Sequence, residues 1–216
     1  MPNDILESVK DFNTITIFRH VFADMDAIGS QFGLKYYLES AYPNKKIYCL
    51  GNDCPVSQRN NVHMDVVDDE VVASSLAIVL DTSNAARIDD DRYQLAKKSI
   101  RIDHHVQVET ICDEEWIDDK ASATCELLAL YLQEKRLTFL YKVLIMLYLG
   151  LTADNIRFTT NNVRPATFDA AKYLFEQGVD VTKVEQLNFQ NPWKTINMKL
   201  LYVIIQCLKI SSFIQF

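Results

Sequence analysis

Glycine and proline are scarce in this 216-residue chain, with five of each. That scarcity excludes a collagen-like or linker-rich protein. Cysteine is sparse as well: Cys49, Cys54, Cys112, Cys125 and Cys207 make an odd count with no C-x-x-C pair. No zinc or disulfide framework is readable from that spacing, so these are expected to be small buried hydrophobes in a reducing compartment. A basic excess is missing too, since 29 acidic residues face 22 basic ones, for a net charge of −7. An acidic protein lacks the non-specific attraction that drives binding to long nucleic acid. It can still act on a phosphate ester if metal cations supply the positive charge. The opening stretch MPNDILESVKDFN has neither a basic nor an apolar signal region. The apolar run at 200–210 carries Gln206 and Lys209 and falls short of the about 20 residues a membrane span needs. The expectation is a cytoplasmic protein without a membrane partner.

What is present is an ordinary globular composition, 49% hydrophobic and 24% charged. That is ample apolar content to offset chain entropy, so disorder is excluded. Residues 14–19, 45–50, 74–81 and 99–103 read as strands, with 63–67 as a weaker one. Residues 31–40, 89–98, 121–135, 137–154, 164–178, 181–189 and 193–209 read as helices. Ser122 suits an N-cap, and Pro165 and Gly178 bracket a helix in the usual order. The 137–154 segment is apolar nearly all round and should be buried. Strands alternating with helices up to residue 135 imply an α/β fold. Its expected form is a mainly parallel sheet flanked by helices, with an all-helical C-terminal part.

Chemistry gathers at the strand ends. His20, Asp24 and Asp26 follow the first strand, Asp81 follows 74–80, and Asp103, His104 and His105 follow the last. Asp154 ends the long apolar helix. Ligands of open α/β sheets bind beyond the carboxyl ends of the strands. Crowded carboxylates there would repel one another unless cations lay between them. Carboxylate plus imidazole donors, with no thiolate, suit Mn, Fe, Co, Zn or Mg. The donors outnumber one ion's needs, so two ions are the economical reading.

The segments His20-Val-Phe-Ala-Asp24-Met-Asp26-Ala-Ile-Gly-Ser30, Asp81-Thr-Ser, Asp103-His104-His105 and Gly150-Leu-Thr-Ala-Asp154 resemble, in order, the four motifs of the DHH phosphoesterase superfamily. Within it the chain looks most like the NrnA-type oligoribonucleases and 3′-phosphoadenosine-5′-phosphate phosphatases. RecJ exonucleases and family II pyrophosphatases are more distant. The resemblance covers about residues 14–190. It implies a hydrolase dependent on two divalent ions, Mn before Mg or Co. One ion would take His20, Asp24 and Asp81; the other would take Asp26, Asp81, His104 and Asp154, with Asp81 shared. In the catalytic pair Asp103 and His105, His105 would meet the substrate phosphate while Asp103 orients a neighbouring histidine. Ser122, with nearby backbone N–H groups, and Arg87 are further candidates for the phosphate. The expected substrates are short oligonucleotides or nucleotide phosphates, and a homodimer is compatible with the pattern.

Two departures stand out. Relatives usually read D-T-G where this chain reads Asp154-Asn155-Ile156, and losing the glycine should alter that loop. No Gly-rich, His-containing motif follows either. The expected layout is therefore a catalytic domain over 1–190 and a helical tail or start of a linker over 191–216, without the family's C-terminal substrate-binding domain. Two alternatives follow: a truncated metal- and phosphate-binding module without independent activity, or a pyrophosphatase- or exopolyphosphatase-like phosphoanhydride hydrolase. The acids at 68–70, 89–91, 113–115, 118 and 119 are expected to be solvated, and His63 to be a strand or loop residue rather than a ligand. The aromatics Tyr141, Tyr148, Phe168, Tyr173 and Phe175 are expected to pack in the core.

Overall fold

In a computed structural model of the chain, residues 4–135 and 140–184 are described. Five strands, β1 (Thr14–Phe18), β2 (Lys46–Cys49), β3 (Leu76–Leu80), β4 (Lys98–Asp103) and β5 (Glu114–Ile117), form one sheet in the order β2-β1-β3-β4-β5. Every neighbouring pair is parallel. The helices are α1 (Ile5–Lys10), α2 (Met25–Ala41), α3 (Pro55–Arg59), α4 (Asp69–Ala73), α5 (Thr124–Glu134), α6 (Tyr141–Asp154) and α7 (Pro165–Glu176). The first compact unit is Met1–Val179. Of the second, a helical turn at 181–184 is described. The expected helix at 193–209 and the boundary at 190 lie outside the described residues.

The strands are short apolar runs because both sheet faces are covered. Ile15, Ile17, Ile78, Leu80 and Ile102 are all buried; α2 and α5 lie against the sheet. On the alternate positions Phe18, Ala77 and Val79 join a second cluster with Val72 of α4, Ile88, Tyr93 and Cys112. The chain goes from β1 out to β2 and then returns to β3 on the other side of β1. The carboxyl ends of β1 and β3 therefore flank the point where the strand order reverses, the usual ligand crevice of such sheets.

The helix α6 crosses α2 at unusually short range. A Cβ on Gly29 would lie 2.5 Å from the Met146 carbonyl and 3.2 Å from Cα of Gly150, and one on Gly150 would strike Sγ of Cys125. Only glycine at both positions lets the two helices and α5 meet there. That crossing delivers Asp154, at the end of α6, to the sheet edge.

Several expectations need correction. Residues 63–67 form no strand. Asp65 instead makes one paired contact with the edge strand β2: its N–H donates to the Cys49 carbonyl, and its carboxylate accepts from the Cys49 N–H. The helix expected from residue 31 begins at Met25, capped by Asp24. Residues 89–98 contain a 3-10 turn, Asp91–Leu95. Glu114 and Glu115, expected among the solvated acids, lie in β5, where Glu115 takes the N–H of Ile111 and lies 3.5 Å from the buried Arg101 guanidinium. Asp89 is likewise paired, with the buried Arg19 at 2.6 Å. Ala123, rather than Ser122, precedes α5. Of the five aromatics, Tyr148 and Tyr173 are buried, while Tyr141, Phe168 and Phe175 are exposed. His63 falls in a loop, one of the two placements expected, and pairs with Asp53.

Candidate metal centre

The site is assembled at the carboxyl edge of the sheet from four separate segments. The β1–α2 loop supplies His20, Asp24 and Asp26. Asp24 caps α2, accepting the N–H groups of Asp26 and Ala27 at 3.0 Å each. Asp26, in the first turn of α2, is fully buried and receives the N–H groups of Thr124 (2.6 Å) and Cys125 (2.9 Å) from the start of α5. A carboxylate at two helix N-termini is electrostatically favoured. Asp81 leaves β3 with φ of 54°, a left-handed conformation uncommon outside glycine but tolerated by Asp. Its carboxylate accepts the Thr124 hydroxyl at 3.1 Å.

The imidazoles are oriented through their far nitrogens. His20 gives Nδ1–H to the Val21 carbonyl at 2.6 Å, and His104 gives its Nδ1–H to the Ala121 carbonyl at 3.3 Å. In both rings Nε2 is left facing carboxylates. His20 Nε2 lies 3.6 Å from Asp24 and 3.5 Å from Asp81. His104 Nε2 lies 3.3 Å from Asp81, 3.3 Å from Asp154 and 3.8 Å from Asp26. The donor sets His20–Asp24–Asp81, Asp26–His104–Asp154 and Asp81–His104–His105 each fall within 4.8 Å.

The charges in this cluster are in conflict. Burial, followed by repulsion from Asp81 and Asp154, pushes the Asp26 carboxyl well above its usual range. Burial and Asp81 also raise Asp154, against the opposing attraction of His104. Burial works against ionised Asp81, but the close imidazoles of His104 and His20 outweigh that and hold it low. Burial likewise opposes charge on both imidazoles, yet their carboxylate partners lift His20 to about 10 and His104 to about 11. Without cations the cluster must therefore retain protons to be tolerable. Despite three nearby carboxylates, His104 Nε2 is buried without a properly formed hydrogen bond. A buried imidazole nitrogen left unbonded among carboxylates fits a divalent cation, and the hard oxygen and imidazole donor set suits one.

His105 sits beside the cluster, 3.7 Å from Asp81, with Nδ1 hydrogen-bonded to Asp103 at 2.7 Å. The histidine that Asp103 orients is thus His105. Its other carboxylate oxygen accepts from Arg101 at 2.6 Å, inside the sheet. Against burial, the bonds from His105 and Arg101 keep Asp103 below the usual carboxylate range. The remaining candidates lie differently. Ser122 is fully buried; its N–H and hydroxyl both donate to Glu126, at 3.0 and 2.7 Å. The next N–H groups, of Thr124 and Cys125, are held by Asp26. Arg87 is exposed, and its carbonyl accepts the Val21 N–H at 2.7 Å.

Sequence reasoning passed over Arg101 and Glu126, and marked Asn155 only as a departure from the family pattern. Buried Glu126 gathers Ser122, the Thr167 hydroxyl and Arg164 Nε, locking α5 to the start of α7. Buried Asn155 donates to the Ser122 hydroxyl and caps the turn after α6 by accepting the Phe158 N–H. The expected change in that loop takes a specific form: Ile156, Arg157 and Phe158 all have positive φ, with no glycine among them.

Residues 14–151 match the family described as "DHH family, N-terminal domain". An uncharacterized protein of Mycoplasma genitalium is 34% identical over 189 residues, covering 86% of this chain and 58% of that protein. The "bifunctional oligoribonuclease and PAP phosphatase NrnA" of Bacillus subtilis is 33% identical over 208 residues, covering 88% of this chain and 66% of that enzyme. Among solved structures, an exopolyphosphatase-related protein from Bacteroides fragilis superposes with a TM-score of 0.73 at 22% identity. It covers 87% of this chain and 59% of that one, and it supports the fold alone. The chain spans roughly three fifths of the length of these relatives. The ordered motifs, the parallel sheet and the family match agree: this chain belongs to the DHH family.

Proposed function

We propose that the chain is the catalytic part of a metal-dependent phosphoesterase that hydrolyses very short oligonucleotides or nucleotide phosphates. In this reading the catalytic domain runs over residues 1–190, with 191–216 as tail or linker. The observation that supports it best is the unbonded His104 Nε2 set among Asp26, Asp81 and Asp154. His20, Asp24 and Asp81 would hold one divalent cation and Asp26, Asp81, His104 and Asp154 a second, with Mn the first choice. Such cations, when bound, neutralise phosphoryl oxygens and acidify a water.

The protein's own residues do the rest. Asp103 fixes Nδ1 of His105, leaving Nε2 free to hold a phosphoryl oxygen or return a proton to the departing oxygen. Arg101 keeps Asp103 ionised and immobile inside the sheet. The carbonyls of Val21 and Ala121 fix the tautomers of His20 and His104, so that Nε2 of each can present a lone pair. Overall, water adds across one P–O bond: hydroxyl goes to phosphorus and a proton to the leaving oxygen.

The test is to assay the purified chain with Mn on diribonucleotides, 3′-phosphoadenosine 5′-phosphate and pyrophosphate, beside Asp81→Asn. We expect turnover of the first two. Loss of partners outside a metal's own ligands costs 10–100-fold, so losing a shared ligand should cost more than about a hundredfold. Equal activity in the variant, no turnover by the wild type, or turnover of pyrophosphate alone would each overturn the reading.

A further inference from the structure

The metal centre is closed on one side and open on the other. Asp26 and Asp81 are buried, whereas the side chain of Asp24 is 53% exposed, that of His105 35% and that of Asp154 23%. Phe22 stands midway in sequence between His20 and exposed Asp24, and is itself 95% exposed. Chain geometry alone limits its Cα to about 7 Å from the Cα of either neighbour.

Two things about Phe22 are unfavourable for the isolated fold. Its φ is 54°, a left-handed conformation that is an outlier for a bulky side chain. Its ring, which would be stabilised by burial, stands in water. The display is also held firmly. Before it, the Val21 N–H donates to the Arg87 carbonyl at 2.7 Å, and His20 makes an antiparallel bridge to Ile88. After it, buried Ala23 accepts from the Cys54 thiol at 3.8 Å, and Asp24 is tied to the start of α2. The loop is pinned on both sides of a single outward aromatic.

We infer that Phe22 is a substrate-selecting residue whose ring stacks on the nucleobase next to the phosphate held at the metal centre. The inference rests on the phosphoesterase reading and names its substrate class, base-bearing phosphates. A phenyl ring among carboxylates has nothing to offer a phosphate, which is served by the cations and His105. It has a π-face to offer a base, and that contact tolerates any base. With the backbone pinned on both sides, the ring has only its own two side-chain torsions to lose when the base arrives.

The test uses the full chain with Mn, comparing Phe22→Asn, Phe22→Trp and wild type. Asparagine tolerates the left-handed backbone, so the first variant should fold at least as well, as its melting curve would report. Binding of AMP and of ribose 5-phosphate is followed by titration calorimetry. In parallel, kcat and KM are measured for a diribonucleotide and for an analogue whose first base is replaced by hydrogen. Wild type should prefer the base-bearing member of each pair on the order of tenfold, the scale of a base–aromatic stack. Phe22→Asn should lose that preference, mainly through KM, and Phe22→Trp should keep it. Equal preference in Phe22→Asn and wild type would overturn the inference. So would a variant weakened equally towards both members, which would make the ring a packing element. Absence of hydrolysis by wild type strikes the phosphoesterase reading instead, and the AMP titration still decides the role of Phe22.

Discussion

Arg19 and Asp89 show how one buried pair supports the site from behind. The Arg19 guanidinium reaches Asp89 at 2.6 Å, the Asn52 carbonyl at 2.5 Å and the carbonyl of His20 at 2.9 Å. Burial opposes ionised Asp89, but bonds from Asn52 and Arg19 outweigh it and hold its carboxyl below the usual value. A folded-state pKa below the unfolded one means stability that is present above about pH 4 and lost as pH falls below it. Asp89→Asn should therefore cost about 3 kcal/mol near neutrality, as expected when a buried charge loses its partner. The gap to wild type should narrow between pH 5 and pH 3 in denaturant titrations; a constant gap would contradict the assignment. Individual residues differed in how readable they were. The Asp and His positions stood out because they follow apolar strands or, for Asp154, end an apolar helix. Arg101 hid inside one, although it shares a sheet face with Asp103 two residues on. A charge at a buried strand position needs a counter-charge, and that was the available signal. Asp89 looked like one acid in a solvated run, because nothing local announces a partner seventy positions away.

At the scale of elements, the crossing of α2 and α6 determines where Asp154 arrives. Gly150→Ala would drive a methyl group into Cys125 Sγ and to 3.1 Å from Asp26 Oδ1. Overpacking of this kind costs about 1–3 kcal/mol. Here it should also displace Asp154 from His104, so metal affinity should fall by more than the melting temperature suggests. Cys125→Ala, which removes the obstructing sulfur, should restore part of both; no rescue would place the strain elsewhere. The four strongest strands were legible because continuous apolar runs between polar breaks have few other uses. β5 was not, since EEWI carries two glutamates, and what makes it a strand is pairing with β4 and the Arg101 charge behind it. The start of α2 was hidden for a related reason. Its first turn carries ligand-type acids where a core-facing pattern would otherwise be expected.

For the molecule as a whole, the cluster couples metal, protons and stability. His20 and His104 are lifted to about 10 and about 11 because the nearby carboxylates overcome the effect of burial, so near neutrality the metal-free fold holds protons that a cation must displace. Apparent Mn affinity should rise as pH goes from 6 to 9, with proton release on binding visible in buffers of different ionisation enthalpy. Each ion at about 100 times its Kd adds about 2.7 kcal/mol to the fold, or about 5–10 °C in melting temperature for a chain this size. An unchanged melting curve across added Mn would contradict the proposed centre. The net charge of −7 thus says less about partners than about cations the cluster is arranged to hold.

The parallel order β2-β1-β3-β4-β5 has a consequence for how this protein is made. Its donors come from four stretches, with His20 near one end of the described chain and Asp154 near the other. At ordinary translation speeds they leave the ribosome on the order of ten seconds apart. The set Asp26–His104–Asp154 is incomplete in the nascent chain until α6 has emerged and crossed α2, whereas His20, Asp24 and Asp81 have all emerged by the end of β3. The two halves of the centre are therefore completed in order during synthesis, and the second closes only when α6 packs on an already formed sheet.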